Sequence, residues 1–417
     1  MSQPPQIARL SKLSQVFDPL WSVAISGGGF APSYVEEAHQ EFREQLEASL
    51  TLSTNAKLLV AGQPGCGKTT LLAKVAQHLR ASGRIVAFVN LESVTAVQDM
   101  GAMEMHLAAA AELLAIAEKA GLPLSGEVTA SIEAGLTALG ARPDAGKPFE
   151  RIHQLLKVAR DDPSLRAELR SIARSAPEQD PQALLFRLLR ELEDHRPVVI
   201  LDGLDKLPPE RAREFFLDDK TKPMADAPCA AILTIPLSIV YEPTFNVLRE
   251  RYNNADNPVL PAVRLYEFHG QAKTRYLPGY NILQRIVRTR LAPIGADVMA
   301  DDAIERAIEA SGGNIRELAR MIQASIVKTV VRRGDEVELR DMEAAIGDQR
   351  ESYRRAYQPQ FLPVLVQVRD THKLESRDDV GKLLLYGLWV VEYRNDEAWY
   401  GLPAAVEQLV LRLEKAK

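Results

Sequence analysis

The sequence predicts an α/β protein whose core is a five-stranded parallel sheet, interrupted by a large helical insertion and followed by helices. Three observations carry this expectation. Residues 58–70 run from apolar residues through a glycine-rich turn into a helix-forming stretch. Residues 197–209 hold a second apolar run, Val-Val-Ile-Leu, that ends on Asp202. From Asn281 onward the pattern is helical up to a short hairpin near the C-terminus.

The first stretch reads Leu-Leu-Val-Ala-Gly-Gln-Pro-Gly-Cys-Gly-Lys-Thr-Thr, with Gly62, Gly65 and Gly67 in the turn and Leu71 to Leu79 as the helix. This is G-x-x-x-x-G-K-[ST] in its required strand–loop–helix context. Gly62, Gln63, Pro64, Gly65, Cys66 and Gly67 can wrap their backbone around phosphates, aided by the positive end of the helix. Lys68 can reach the β- and γ-phosphates, the Thr69 hydroxyl can ligate Mg²⁺, and Thr70 completes the loop. The motif therefore implies a bound nucleoside triphosphate. Cys66 reads as a small residue in a tight loop.

Composition narrows the class. The chain has 417 residues, 46% hydrophobic and 26% charged, which suits a globular protein of several domains. A net charge of −5 gives no overall pull toward nucleic acid or acidic membranes. Two cysteines, Cys66 and Cys229, cannot build a disulfide framework and fit a reducing compartment. Without a secretory leader or a membrane-length apolar run, a cytoplasmic location with no membrane partner is expected.

Four segments follow along the chain. Residues 1–56 are a preface, with a loop-like Ala24–Ser33 and helical periodicity from Tyr34 to Leu50. Residues 57–280 form the core, with strands expected at 58–62, 85–91, 198–201, 230–235 and 263–268. Inside it, residues 93–195 read as a helical insertion, with a Gly/Pro/Ser-containing connection at 122–148. Asp202 lies at a strand C-terminus, where ligands bind in open α/β sheets, so it can hold the Mg²⁺ water shell beside Thr69. Thr234 ends the fourth strand and is a candidate to touch the γ-phosphate or to position water. Residues 281–356 are all helix, Ser311-Gly-Gly313 ending one helix and Asn314 capping the next with Glu317 three positions on. Residues 357–417 read as helix, helix, hairpin and helix, the pattern of a small winged-helix-like module.

These motifs, with Gly-Gly-Asn-Ile-Arg-Glu-Leu in the helical segment, resemble the AAA+ ATPases, nearest to the origin-recognition and initiator branch. The resemblance covers about residues 34–350 and, more weakly, 360–412. It implies that 62–70 is Walker A, Asp202 ends Walker B, 281–356 is a helical lid, Thr234 takes the sensor 1 place and Arg316 sensor 2. Arg249 or Arg251 would be the arginine finger offered to a neighbouring subunit of a homo-oligomer. One departure matters. Gly203 stands where most AAA+ proteins carry a glutamate, and Leu-Asp-Gly-Leu-Asp-Lys looks like the Walker B of STAND and NACHT signalling ATPases. Asp205 is then the nearby acid, which can act as base, support the metal or cap the next loop. Such a site suits slow ATP hydrolysis and a nucleotide-controlled switch.

A GTPase is disfavoured because no Asn-Lys-x-Asp motif occurs. Two functions remain in contention: a signalling or defence ATPase that controls a protein partner through the insertion or the C-terminal module, and a DNA-loading ATPase. For DNA, basic His372, Lys373, Arg377, Lys382 and Arg394 are interleaved with Glu375, Asp378, Asp379, Asp396 and Glu397. That mixture dilutes the phosphate attraction on which duplex affinity rests.

Overall fold

A computed structural model of the chain describes all residues except 1–4, 19–23, 26–28, 31–33, 143–145, 176–179, 218–223, 270–271, 377 and 416–417. Much of the loop expected at 24–33, and Arg377, lie outside the described residues.

The first elements are α1 (Pro5–Val16), a short antiparallel pair β1 (Ala24–Ile25) and β2 (Gly29–Phe30), and α2 (Gln40–Leu52). The nucleotide-fold stretch follows with β3 (Lys57–Val60), α3 (Lys68–Ala81), β4 (Val86–Asn90) and the single turn α4 (Leu91–Val94). Five helices then intervene: α5 (Ala102–Ala120), α6 (Gly126–Ala138), α7 (Pro148–Asp161), α8 (Pro163–Ser175) and α9 (Pro181–Glu191). The chain returns through β5 (Val198–Asp202), α10 (Pro209–Phe216), β6 (Ala230–Thr234), α11 (Leu237–Val240) and a hairpin of β7 (Tyr266–His269) and β8 (Ala272–Arg275). Helices α12 (Leu277–Leu291), α13 (Asp301–Ser311), α14 (Ile315–Val331) and α15 (Leu339–Ala356) come next. The tail comprises α16 (Phe361–Thr371), α17 (Asp379–Tyr386), β9 (Val391–Arg394), β10 (Ala398–Gly401) and α18 (Ala404–Lys415). No helix among the described residues is long and apolar enough to cross a membrane.

The chain divides into two compact units. The unit of residues 41–61 and 71–259 holds a parallel sheet in the order β3-β6-β5-β4. Strands β3, β5 and β6 are buried at every residue, as a parallel sheet covered on both faces requires. The apolar runs in the sequence reflect that burial. In the insertion, α5 packs against α7 and α9 and also lies on β4, tying the five helices to the sheet. Its alanine-rich face lets these neighbours approach closely. The connection expected at 122–148 contains α6, started by Ser125, whose side chain accepts from Val128 N. A Cβ at Gly135 would sit 3.2 Å from Leu184 Cδ1, so this glycine permits close packing of α6 on α9 rather than a break.

Among the described residues the sheet has four strands, not the expected five. The predicted strand at 263–268 becomes the antiparallel β7–β8 hairpin in the other unit. A fifth position survives only as a bridge of Val259 to Ala61, whose N–H donates to Pro258 O at 2.7 Å. Pro258 and Pro261 flank that bridge and have no N–H to extend the ladder.

The second unit gathers residues 1–40, 62–70 and 260–417. Its core joins Leu10, Leu13 and Phe17 of the N-terminal stretch to Leu283, Val287, Ile304, Ile308, Leu318, Ile322 and Ile346 of α12–α15. Gly312 ends α13 in the left-handed region, at φ 58°. Gly313, at φ 82°, brings its backbone so close to Val263 that a Cβ would lie 1.9 Å from Val263 O. Asn314 caps α14 as expected, its side chain accepting from Arg316 N and Glu317 N at 3.1 Å. In the tail, Trp389, Tyr393, Trp399 and Tyr400 are all buried, and Tyr393 stacks on Trp399 with ring centres 4.4 Å apart.

Candidate nucleotide-binding site

The glycine-rich stretch leaves β3 and enters α3 through three residues in the positive-φ region, Gly62 at 153°, Gly65 at 85° and Gly67 at 108°. Two of them also have no room for a side chain. A Cβ at Gly65 would fall 2.4 Å from Arg316 Cβ, and one at Gly62 would fall 2.7 Å from Leu260 O. Cys66 is buried with its Sγ only 2.9 Å from the same Gly62 position, a small residue in a tight turn. Lys68 folds its Nζ back onto the carbonyls of Gly62 at 2.8 Å and Gln63 at 3.2 Å. Thr69 is exposed on the first turn of α3, and Thr70 and Pro64 are half-buried.

Within its own unit this loop is held from three sides. Asn314 Nδ2 donates to Pro64 O at 2.8 Å and Arg316 N donates to Gly65 O at 3.2 Å, so the start of α14 lies along the loop. The Arg316 guanidinium has no hydrogen bond or ion pair among the described residues. From another side His39 Nε2 donates to Cys66 O at 2.7 Å. Burial of the His39 ring pushes its pKa down, which keeps it neutral. The third hold is Gln63, 3% exposed, whose Nε2 donates to Leu385 O at 2.8 Å and Val390 O at 2.7 Å while its Oε1 accepts from Glu392 N at 3.0 Å. Neither the His39 contact nor the Gln63 contacts were readable in the sequence, because each partner lies tens to hundreds of residues away.

In the other unit, the C-terminal sheet edge brings several candidates into line. Val60 pairs with Thr234, and Asp202 pairs with Asn90 across β4. Asp202 is 4% exposed and Thr234 fully buried. The Thr234 hydroxyl accepts from Gly203 N at 3.0 Å, bracing the turn that follows Asp202. Gly203 lies at φ 104°, a conformation that costs a non-glycine residue roughly 1–3 kcal/mol. The backbone itself therefore disfavours a glutamate directly after Asp202. Asp205 lies half-buried in the 3₁₀ turn Leu204–Lys206. Glu92, in the turn after β4, is exposed and ion-paired with Lys206.

Arg249 and Arg251 stand elsewhere in this unit. Arg249 is exposed and pairs with Asp256 at 2.9 Å, while Arg251 is half-buried. The residues that follow them clasp β3. Asn253 exchanges hydrogen bonds with Lys57 at 2.7 Å, and the Asn254 side chain does the same with Leu59 at 2.7 Å.

No three His, Cys, Asp or Glu side chains gather as a metal cluster among the described residues. Thr69 in one unit and Asp202 in the other each carry an oxygen of the kind Mg²⁺ takes as a ligand.

The family model for the N-terminal region of nephrocystin 3 matches residues 38–109. No curated protein matches the chain. Among solved structures, Cdc6p from Pyrobaculum aerophilum is similar at 12% identity and a TM-score of 0.43, over 96% of this chain and 98% of that one. The Aeropyrum pernix ORC1 protein in complex with DNA is similar at 14% identity and a TM-score of 0.41, over 97% and 98%. The Thermotoga maritima RuvB Holliday junction branch migration motor is similar at 13% identity and a TM-score of 0.35, over 90% and 94%.

Proposed function

We propose that this chain is a Mg²⁺-dependent ATPase of AAA+/STAND-like kind, acting as a slowly hydrolysing, nucleotide-controlled oligomerising switch that regulates a partner protein. The observation that carries it is the loop backbone, with Gly62, Gly65 and Gly67 at positive φ and Lys68 and Thr69 opening α3. Lys68 meets the β- and γ-phosphates, Thr69 and Asp202 hold Mg²⁺, and Mg²⁺ neutralises charge on the phosphates. Thr234 orders the strand end beside Asp202, Asp205 supports the metal shell, and Arg316 contacts the γ-phosphate from α14. Arg249 and Arg251 serve a neighbouring subunit.

The Gln63 contacts support an output through the tail, since a loop that changes shape around phosphate pulls on β9 and α17. Helix α17 exposes Leu383 and Tyr386, at 46% and 65%, and residues 357–417 carry nine acidic against eight basic side chains. That surface favours a protein partner. The second reading is a DNA-binding initiator or loader that uses the tail as a winged helix.

Thermal melting with and without Mg²⁺-ATP tests the nucleotide reading. Saturating ATP should raise the Tm of the wild type by several degrees, and Lys68→Ala should lose that rise while melting normally without nucleotide. An ATP response that survives in Lys68→Ala rejects the site. Salt-dependent binding to a duplex by the full chain would favour the second function over the first.

A further inference from the structure

A hydrolysing site needs a group that orients and deprotonates the attacking water, and position 203 does not supply one. Gly203 has no side chain, and its φ of 104° disfavours the residues that would. The space beside it is not empty. A Cβ at position 203 would lie 3.6 Å from Glu92 Cγ, 3.6 Å from Glu92 N and 3.6 Å from Leu91 Cβ. All three belong to the turn that follows β4, and β4 is the direct neighbour of β5 in the sheet, with Asn90 opposite Asp202. Asn90 Oδ1 accepts from Glu92 N at 3.2 Å and so starts the helical turn that carries Glu92. The Glu92 side chain thus runs within van der Waals contact of the point where a side chain on position 203 would begin, and its carboxylate is exposed. Lys206, three residues after Gly203, is its ion-pair partner. Asp205 belongs to the same turn as Lys206 but is half-buried, whereas Glu92 is open to water.

We propose that Glu92 is the catalytic carboxylate, supplied by the strand beside the one that carries Asp202. The proposal rests on the ATPase reading above. In the step it performs, a water oxygen bonds to the γ-phosphorus as one water proton passes to a Glu92 oxygen. The bond from that phosphorus to the bridging oxygen breaks, and its electron pair leaves with ADP. The proton on Glu92 then returns to solvent, and the carboxylate is restored.

The test compares wild type, Glu92→Gln and Lys68→Ala as full chains. Three quantities are measured: phosphate release, affinity for a fluorescent non-hydrolysable ATP analogue, and the nucleotide retained after incubation with Mg²⁺-ATP and rapid gel filtration. Glu92→Gln should slow phosphate release about 100-fold or more, bind the analogue within threefold of wild type, and retain ATP where wild type retains ADP. Its apo Tm should match wild type, because the removed charge is on the surface. Wild-type turnover in Glu92→Gln overturns the proposal, as does loss of analogue binding to the level of Lys68→Ala. A wild type that binds ATP and releases no phosphate instead overturns the hydrolysis reading itself.

Discussion

Gln63 Nε2 donates to the carbonyl of Leu385 at 2.8 Å, so a side chain of the glycine-rich loop is built into the last turn of a tail helix. With the bonds to Val390 O and Glu392 N it fills three of the four hydrogen-bonding positions of the amide. The sequence motif leaves this position unspecified, yet here it is nearly solvent-free.

Gln63→Ala should therefore lower apo stability by about 1–3 kcal/mol, since buried backbone groups lose their partner. Gln63→Glu should cost more, because a carboxylate would face two carbonyl oxygens. Calorimetric melting without nucleotide checks the order. If both variants melt like wild type, the clasp contributes nothing to stability.

How much of this was legible beforehand depended on how local each signal was. The strand–loop–helix around Lys68, the buried run ending at Asp202 and the Asn314 cap are written within a dozen residues each, and they appear where expected. The apolar run at 263–268 points to a fifth strand, but Pro258 and Pro261 reduce that sheet edge to one bridge among the described residues. The Gly, Pro and Ser content of 122–148 points to a connection, whereas the stretch holds α6, in which Gly135 makes contact with Leu184. The left-handed turn at Gly203 was visible only as a missing glutamate. Its neighbour Glu92 lies 111 positions earlier, and only strand pairing brings the two together.

Asp202→Asn should retain nucleotide affinity within a few fold and lose most phosphate release, because the metal shell loses its anionic partner. Asp205→Asn measures the second acid separately. Titrating Mg²⁺ against phosphate release distinguishes the roles. A residue that supports the metal raises the Mg²⁺ concentration needed for half-maximal rate. An unchanged Mg²⁺ requirement in Asp205→Asn would leave it as a cap of the loop.

His106 gives the insertion a pH dependence. It is 4% exposed on α5, edge-on to Phe186 with ring centres 6.5 Å apart, and its Nε2 has no hydrogen-bond partner among the described residues. Burial pushes its pKa down from 6.5 to about 4. The unfolded chain thus takes up the proton more readily than the folded one. The contribution is fully present above pH 6.5, falls as pH drops through 6.5 toward 4, and levels off below. Its full extent is roughly 3 kcal/mol. Urea unfolding of wild type and His106→Leu between pH 7.5 and 4 should give curves that diverge in that window, with the variant less pH-sensitive. Parallel curves would mean that His106 is hydrated.

The last prediction concerns assembly. Asn253 and Asn254 fasten the segment after Arg249 and Arg251 to Lys57 and Leu59 of β3. Arg249 is exposed there and held only by a surface pair with Asp256, which is weak. Arg249 is thus open to solvent while Arg251 is half-buried, and on the proposed reading they serve a neighbouring subunit's nucleotide rather than their own. An arginine supplied in trans is worth roughly 10³-fold or more in rate, so on this proposal catalysis would be conditional on a head-to-tail contact. Phosphate release per subunit should rise with protein concentration. Mixing Lys68→Ala subunits with Arg249→Ala/Arg251→Ala subunits should recover partial activity, because a Lys68→Ala subunit lends its arginines to an intact loop next door. A rate strictly proportional to enzyme concentration, unaltered by removing both arginines, would make them ordinary solvated side chains.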